Sequence, residues 1–188
     1  MGKTLLSSDL MALVAKGDKK AFEDLYRATY RQLFSFLLSL TADQDTARDI
    51  MQETYLKVYV SAQKYRDKGN PLAWIMTIGK NQFLMQKRKE KGNVVYIDDS
   101  DDSMQVPAFD CISDVEARET LEVMFRILSR QERCIVTLHD ISGFKHKEIA
   151  ELIELPTATV ISKYNRAMKK LHMEAQKMGI TEADDQYE

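Results

Sequence analysis

Apolar residues recur every three or four positions through most of the first ninety residues, with few helix-breaking residues between them. That period lays one wall of a helix against a core, and it predicts helices over 8–16, 19–40, 43–64 and 71–90. "KYRDKGNP" separates the last two: Gly69 and Asn70 mark a turn, and Pro71 sits near a helix start, where proline is tolerated. The period is lost over 92–113, "GNVVYIDDSDDSMQVPAFDCIS", where acids and Pro107 gather. This stretch reads as a linker, and "NVVYI", which has the composition of a short strand, is kept within it. Helical spacing returns over 114–128, 130–140, 145–153 and 156–177, with Ser129 and Glu132 forming a capping box at the start of the second. The expected fold is therefore all-α: two small helical domains, 1–91 and 114–178, joined by a flexible acidic linker, 92–113, and followed by an acidic tail, 179–188.

Composition narrows this picture. The chain has 188 residues, 44% of them hydrophobic, with only 3 prolines and 7 glycines, enough for a real core. No apolar run approaches the roughly 20 residues that span a bilayer, and the start has no secretion signal, so a cytoplasmic protein without membrane insertion is expected. Cys111 and Cys134 are not closely paired, which suits a reducing compartment and speaks against a structural metal site; Cys134, in "ERCIVTL", reads as a core residue.

Groups that would support catalysis are missing. There is no glycine-rich phosphate loop, dinucleotide fingerprint or nucleophile elbow, so no catalytic residue, cofactor or small-molecule substrate is expected. His139, His146 and His172 are scattered. Adjacent residues on a helix point about 100° apart, so His139 reads as a helix-surface residue and not as a base oriented by Asp140.

The formal net charge of -2 hides an uneven distribution. "TATVISKYNRAMKKL" (157–171) holds Lys163, Arg166, Lys169 and Lys170 with no acid among them. Before it, "KEIAELIELP" places Ile149, Ala150, Ile153 and Leu155 as an apolar set, and Pro156 forces a sharp exit, which gives two helices joined by a tight turn. On the second helix Val160, Tyr164, Ala167 and Leu171 form one stripe. Thr159, Ser162, Lys163, Arg166 and Lys170 form another, roughly a quarter-turn round. A solvated lysine face would mix signs; a donor-only face after a tight turn is suited to a DNA major groove.

Two helices of the first half carry patterned faces as well. In "DQDTARDIMQETYLKVYV", Ala47, Ile50, Met51, Thr54 and Val58 face a core, while Asp49, Gln52, Glu53, Leu56 and Val60 lie opposite: carboxylates beside an apolar anchor, as on a protein-docking surface. "PLAWIMTIGKNQFLMQKRKEK" combines Trp74 and Phe83 with Lys80, Asn81, Gln82, Gln86, Lys87 and Arg88, a mixture able to stack opened bases and hold a single-strand backbone. A stripe of Trp74, Ile78 and Met85 is equally able to serve as core.

Taken in order, "AFEDLYRATYRQLFSFL", "DIMQETYLKVY", "PLAWIMTIGKNQFL" and "LSRQERCIVTLHDISGFKHKEIAELIELPTATVISKYNRAMKKL" resemble regions 2 and 4 of a bacterial sigma factor of the extracytoplasmic-function type. The resemblance implies a factor that binds core RNA polymerase and directs it to promoter DNA, under the control of an anti-sigma factor. By position, Asp49, Gln52, Glu53 and Leu56 would dock on the polymerase. Lys64, Arg66, Asn70, Trp74, Lys80, Asn81, Gln82, Gln86, Lys87 and Arg88 would melt and read the minus-10 element. Lys145, Lys147, Thr159, Ser162, Lys163, Arg166 and Lys170 would contact the minus-35 element. The sequence departs from the family at Met85, where aspartate is frequent, at Glu154, a turn position often held by glycine, and at Lys163, often arginine. A helix-turn-helix regulator with a sensing or dimerisation domain is the competing reading.

Overall fold

A computed structural model of the chain describes residues 8–66, 70–92, 97 and 122–177, and the regular structure among them is helical. Several helices begin or end where local groups satisfy their free backbone. α1 (Ser8–Ala15) passes through Gly17, at φ 85, into α2 (Lys19–Thr41), whose first turn is capped by Asp18 accepting from Ala21 N at 2.9 Å. α3 (Gln44–Ser61) is capped by Asp43, which accepts from Thr46 N at 2.7 Å, and hydrogen bonds from the Thr46 side chain and then its backbone hold the Asp43 carboxyl below its ordinary range. The expected helix 43–64 ends at Ser61 and tightens into a 3-10 turn, Ala62–Lys64. α4 (Pro71–Lys91) opens with Pro71 in its first turn and the Asn70 side chain accepting from Ala73 N at 3.1 Å, and closes at left-handed Gly92.

The second half contains α5 (residues 122–127), α6 (Arg130–Val136), a π-type turn (Thr137–Ile141), α7 (His146–Ile153) and α8 (Thr157–Lys177). The expected helix 130–140 is thus an α segment that widens at its end. The capping box is present: Glu132 N donates to Ser129 Oγ at 3.4 Å and Ser129 N to Glu132 Oε2 at 3.0 Å. Residues 114–121 of the expected helix 114–128 and the tail 179–188 lie outside the described residues, as does the linker beyond Gly92 and Ile97. Ile97 is buried, and its carbonyl accepts from Gln131 Nε2 at 2.6 Å, so the linker is tied to α6 at that residue.

α2, α3 and α4 pack on one another around residues such as Leu33, Leu37, Ile50, Val58, Ile75 and Phe83. Gly79 permits the close approach of α4 to α2, since a Cβ there would lie 3.1 Å from Leu33 Cδ1. α6 and α7 pack on α8, and the two sets of helices meet: α2 lies against α6 and the π-type turn, and α4 against α7. Cys134 is fully buried there, and desolvation pushes its thiol up to about 12 despite a hydrogen bond with Ser39 of α2, as suits an unreactive core residue. Arg133, 2% exposed, donates from Nη1 to the carbonyls of Phe125 (3.3 Å) and Leu128 (2.8 Å), tying the end of α5 to α6.

α7 stops at Glu154, whose left-handed backbone (φ 59) returns its N–H to the Ala150 carbonyl. Leu155 N donates to the same carbonyl at 3.0 Å, and Pro156 then leads into α8. Glycine adopts this conformation freely, whereas a residue with a Cβ pays about 1–2 kcal/mol.

Candidate nucleic-acid interface

α8 docks by the expected stripe: Val160 and Ala167 are buried, and Tyr164 and Leu171 half-buried. Of the other stripe, Ser162 and Arg166 are exposed, and Thr159, Lys163 and Lys170 half-buried; Lys145 and Lys147, at the start of α7, are exposed. Lys170 has a second task. Its Nζ lies 2.6 Å from Glu132 Oε2, on a side chain only 3% exposed, and a buried carboxylate needs such a counter-charge. Sequence reasoning placed Lys170 on the outward stripe because the helical period cannot see an acid 38 residues earlier.

The expectation that His139 and Asp140 diverge is not met. His139 Nδ1 lies 2.7 Å from Asp140 Oδ1, because both sit on the π-type turn, off the regular step of an α-helix. The His139 ring stacks on His146 at 4.6 Å, and Tyr164 donates to Asp140 Oδ1 at 3.0 Å. Burial, followed by that contact, raises the Tyr164 pKa. Among the described residues, no group of three or more His, Cys, Asp or Glu is placed to hold a metal ion.

On α4 the candidate residues divide. Asn81 and Arg88 are exposed, as are Lys64 and Arg66 in the segment before it. Trp74 is half-buried and packs edge-to-face on Tyr65 at 5.3 Å. Gln86 and Lys87 are half-buried and both reach Glu90, at 3.3 and 2.7 Å. Phe83, by contrast, is 1% exposed and belongs to the core, so its ring offers no stacking face. Gln82 is buried, accepting from Lys57 Nζ at 2.6 Å across α3 and α4. Met85 is 40% exposed and therefore takes no place in a core stripe with Trp74 and Ile78. Lys80 is buried as well, and its Nζ lies 2.5 Å from Glu154 Oε1 in the other half of the chain. Between α4 and α7 runs a cleft of about 520 Å³, lined by Lys64, Arg66, Asn70, Trp74, Glu148 and Glu151 among others.

α3 presents Asp49, Gln52 and Glu53 to solvent, with Leu56 at 63% and Val60 at 80% exposure. Beside this face lies an open groove of about 840 Å³ between α2 and α3, bordered by Gln52, Leu56 and the rings of Phe22, Tyr26, Tyr30 and Tyr59. Sequence reasoning missed these aromatics. Their signal was available, since Phe22, Tyr26, Tyr30 and Phe34 recur at every fourth residue and so share one face of α2.

Comparison with known proteins identifies the two halves of the chain. Residues 25–92 match the family model for Sigma-70 region 2, and residues 118–171 match Sigma-70, region 4. The ECF RNA polymerase sigma factor SigM of Bacillus subtilis is 27% identical over 154 residues, spanning 79% of this chain and 91% of its own. The ECF RNA polymerase sigma-E factor of Escherichia coli K12 is 26% identical over 187 residues, spanning 94% and 97%. Among solved structures, the sigma factor RpoE in complex with the anti-sigma factor NepR from Bartonella quintana superposes with TM-score 0.62 at 25% identity, covering 82% of this chain and 96% of that one. CnrH, solved with the cytosolic domain of CnrY, has the same fold at TM-score 0.62 and 20% identity, covering 90% and 96%. The match of the first half to region 2 leaves no support for a sensing or dimerisation domain there. With regions 2 and 4 in order on one chain, the protein belongs to the sigma-70 family of RNA polymerase sigma factors, in the extracytoplasmic-function group.

Proposed function

We propose that this sigma factor docks on core RNA polymerase through α3, reads a melted minus-10 strand with α4 and reads duplex minus-35 DNA with α7 and α8. The observation that carries the reading is the separation of three chemistries over the two matched regions: a carboxylate and leucine face beside an aromatic groove, an aromatic and donor face, and a donor-only face on the first fifteen residues of α8. Asp49, Gln52 and Glu53 form a polar rim around Leu56 and the groove, as suits a protein partner. Trp74 stacks an opened base while Lys64, Arg66, Asn81 and Arg88 hold the strand. Thr159, Ser162, Lys163 and Arg166 enter the major groove, and Lys145 and Lys147 meet phosphates. Lys170 and Gln82 act by holding their own domains in shape. The polymerase supplies the chemistry, so the factor works in the cytoplasm, without a cofactor, over working limits of 1–91 for region 2 and 114–178 for region 4. An anti-sigma factor holds it inactive, as NepR is bound to the Bartonella relative.

The test is comigration of the purified chain with core polymerase. Leu56→Ala with Glu53→Ala removes two exposed side chains, so the fold stays intact by circular dichroism while comigration is lost. Unchanged comigration would move the docking face elsewhere. Run-off transcription with core polymerase and this chain alone is expected on its own promoters, and silence across a genomic promoter library would sink the autonomous role.

A further inference from the structure

Lys80 stands on the polar side of α4, yet its side chain is only 6% exposed. Its ammonium meets region 4. Glu154 Oε1 lies 2.5 Å from Lys80 Nζ, and Asn70, the cap of α4, donates from Nδ2 to Glu148 Oε1 at 3.4 Å. Glu151 lies between these two acids in sequence and, with Glu148, lines the cleft opposite Lys64, Arg66 and Trp74. Glu148 and Glu151 thus stand on one face of α7, roughly 5–6 Å apart between Cβ atoms, and Glu154 follows at the cap that ends the helix. Glu154 is one of two described non-glycine residues with left-handed φ, the other being Ala42. Its backbone is one that glycine suits better, whereas its carboxylate is held below the ordinary range, first by the hydrogen bond to Lys80 and then by the charge of Lys80.

We propose that α7 is an internal mimic of nucleic acid: Glu148, Glu151 and Glu154 cover the cleft of α4 in the free factor, and a single DNA strand competes with them for it. The proposal rests on the reading of α4 as a strand-binding surface. Lys80 and the Asn70 amide, which would hold a strand, meet carboxylates of the same chain instead, and Lys64, Arg66 and Trp74 share their cleft with Glu148 and Glu151. Separation of α7 from α4, as on docking to a polymerase, uncovers Trp74 and Lys80 together. The factor on its own then binds DNA weakly, because its affinity is scaled down by the fraction of molecules in which the cleft is open.

The full chain carries its own reporter, since Trp74 is its single tryptophan. Acrylamide quenching of Trp74 measures opening of the cleft, and anisotropy of a fluorescent single-stranded DNA oligonucleotide measures binding, both without polymerase. The triple variant Glu148→Gln, Glu151→Gln, Glu154→Gln is expected to quench more strongly and to bind about tenfold more tightly, which corresponds to an open fraction near one-tenth in the parent. Glu154→Gly should shift both readouts in the same direction with the fold retained, because glycine fits the left-handed turn. A charge-matched control, Glu23→Gln, Asp24→Asn, Asp45→Asn, should move neither readout comparably. Unchanged quenching in the triple variant overturns the shield and leaves the reading of α4 standing. Equal tightening by the control reduces the effect to net charge and also overturns it. Stronger quenching with no tighter binding sinks the reading of α4 as a strand site, and the mimic with it.

Discussion

α4 and α8 are both 21-residue helices rich in hydrogen-bond donors, and the fold treats them in opposite ways. On α8, Ser162 and Arg166 face solvent and the buried positions are the apolar ones, as an amphipathic helix on a domain surface requires. On α4, Lys80, Gln82 and Phe83 are all buried, and each meets a different neighbour: Glu154 at the end of α7, Lys57 of α3 and the core of region 2. Donor-rich composition therefore says what a helix is able to bind, while its neighbours decide whether the donors are available. The same lesson holds within α8, where Lys170 is held by Glu132 and Arg166, one turn earlier, is exposed.

The largest expected effect breaks the comparison at α4. Phe83→Ala should destabilise the protein by about 3–5 kcal/mol in urea denaturation, as for a fully buried aromatic, whereas Trp74→Ala should cost clearly less and act mainly on single-strand binding. Equal destabilisation by the two would return Trp74 to the core. Next, Lys170→Ala leaves the buried Glu132 carboxylate with only the Ser129 N–H, and should cost about 1–3 kcal/mol of stability. Arg166→Ala should leave stability within about 0.5 kcal/mol. It should instead cost about 1–3 kcal/mol of specific duplex binding if Arg166 reads a base, or lower the salt slope by roughly one unit if it meets phosphate. A stability loss at Arg166 with none at Lys170 would exchange their roles.

The smallest expected effect is on pH. The Glu154 pKa is lowered where α7 meets α4, so the closed arrangement gains from this group at any pH above the ordinary carboxylate value. That gain is lost as pH falls through the lowered value, and Trp74 quenching should rise with it. The rise is modest because the Glu154 side chain is 68% exposed and solvent screens the pair. A step of equal size in Glu154→Gln would assign the acid response to another group.

Much of this molecule was legible along the chain because helices are local. Asp18, Asp43, Asn70 and Ser129 each cap a helix within three residues of themselves, and the apolar period set the limits of α2, α4, α7 and α8 to within a residue or so. The exposed face of α3 was legible for the same reason, since Asp49, Gln52, Glu53 and Leu56 follow from the period once Ala47, Ile50, Thr54 and Val58 are turned inward. The aromatic groove was half legible: the fourfold recurrence of rings is written in α2, but the facing Tyr55 and Tyr59 come from α3.

The sequence by itself determined the helices, their caps, the basic face of α8 and the order of regions 2 and 4, because these depend on residues a few positions apart. Only the tertiary structure decided which donors are occupied. The pairs Lys80 with Glu154, Lys170 with Glu132 and Gln82 with Lys57 join residues 74, 38 and 25 positions apart. No helical period reports such distances. A charged group on the polar face of a helix stays in water unless a second helix brings it a partner, and that partner is chosen by the packing of apolar faces elsewhere.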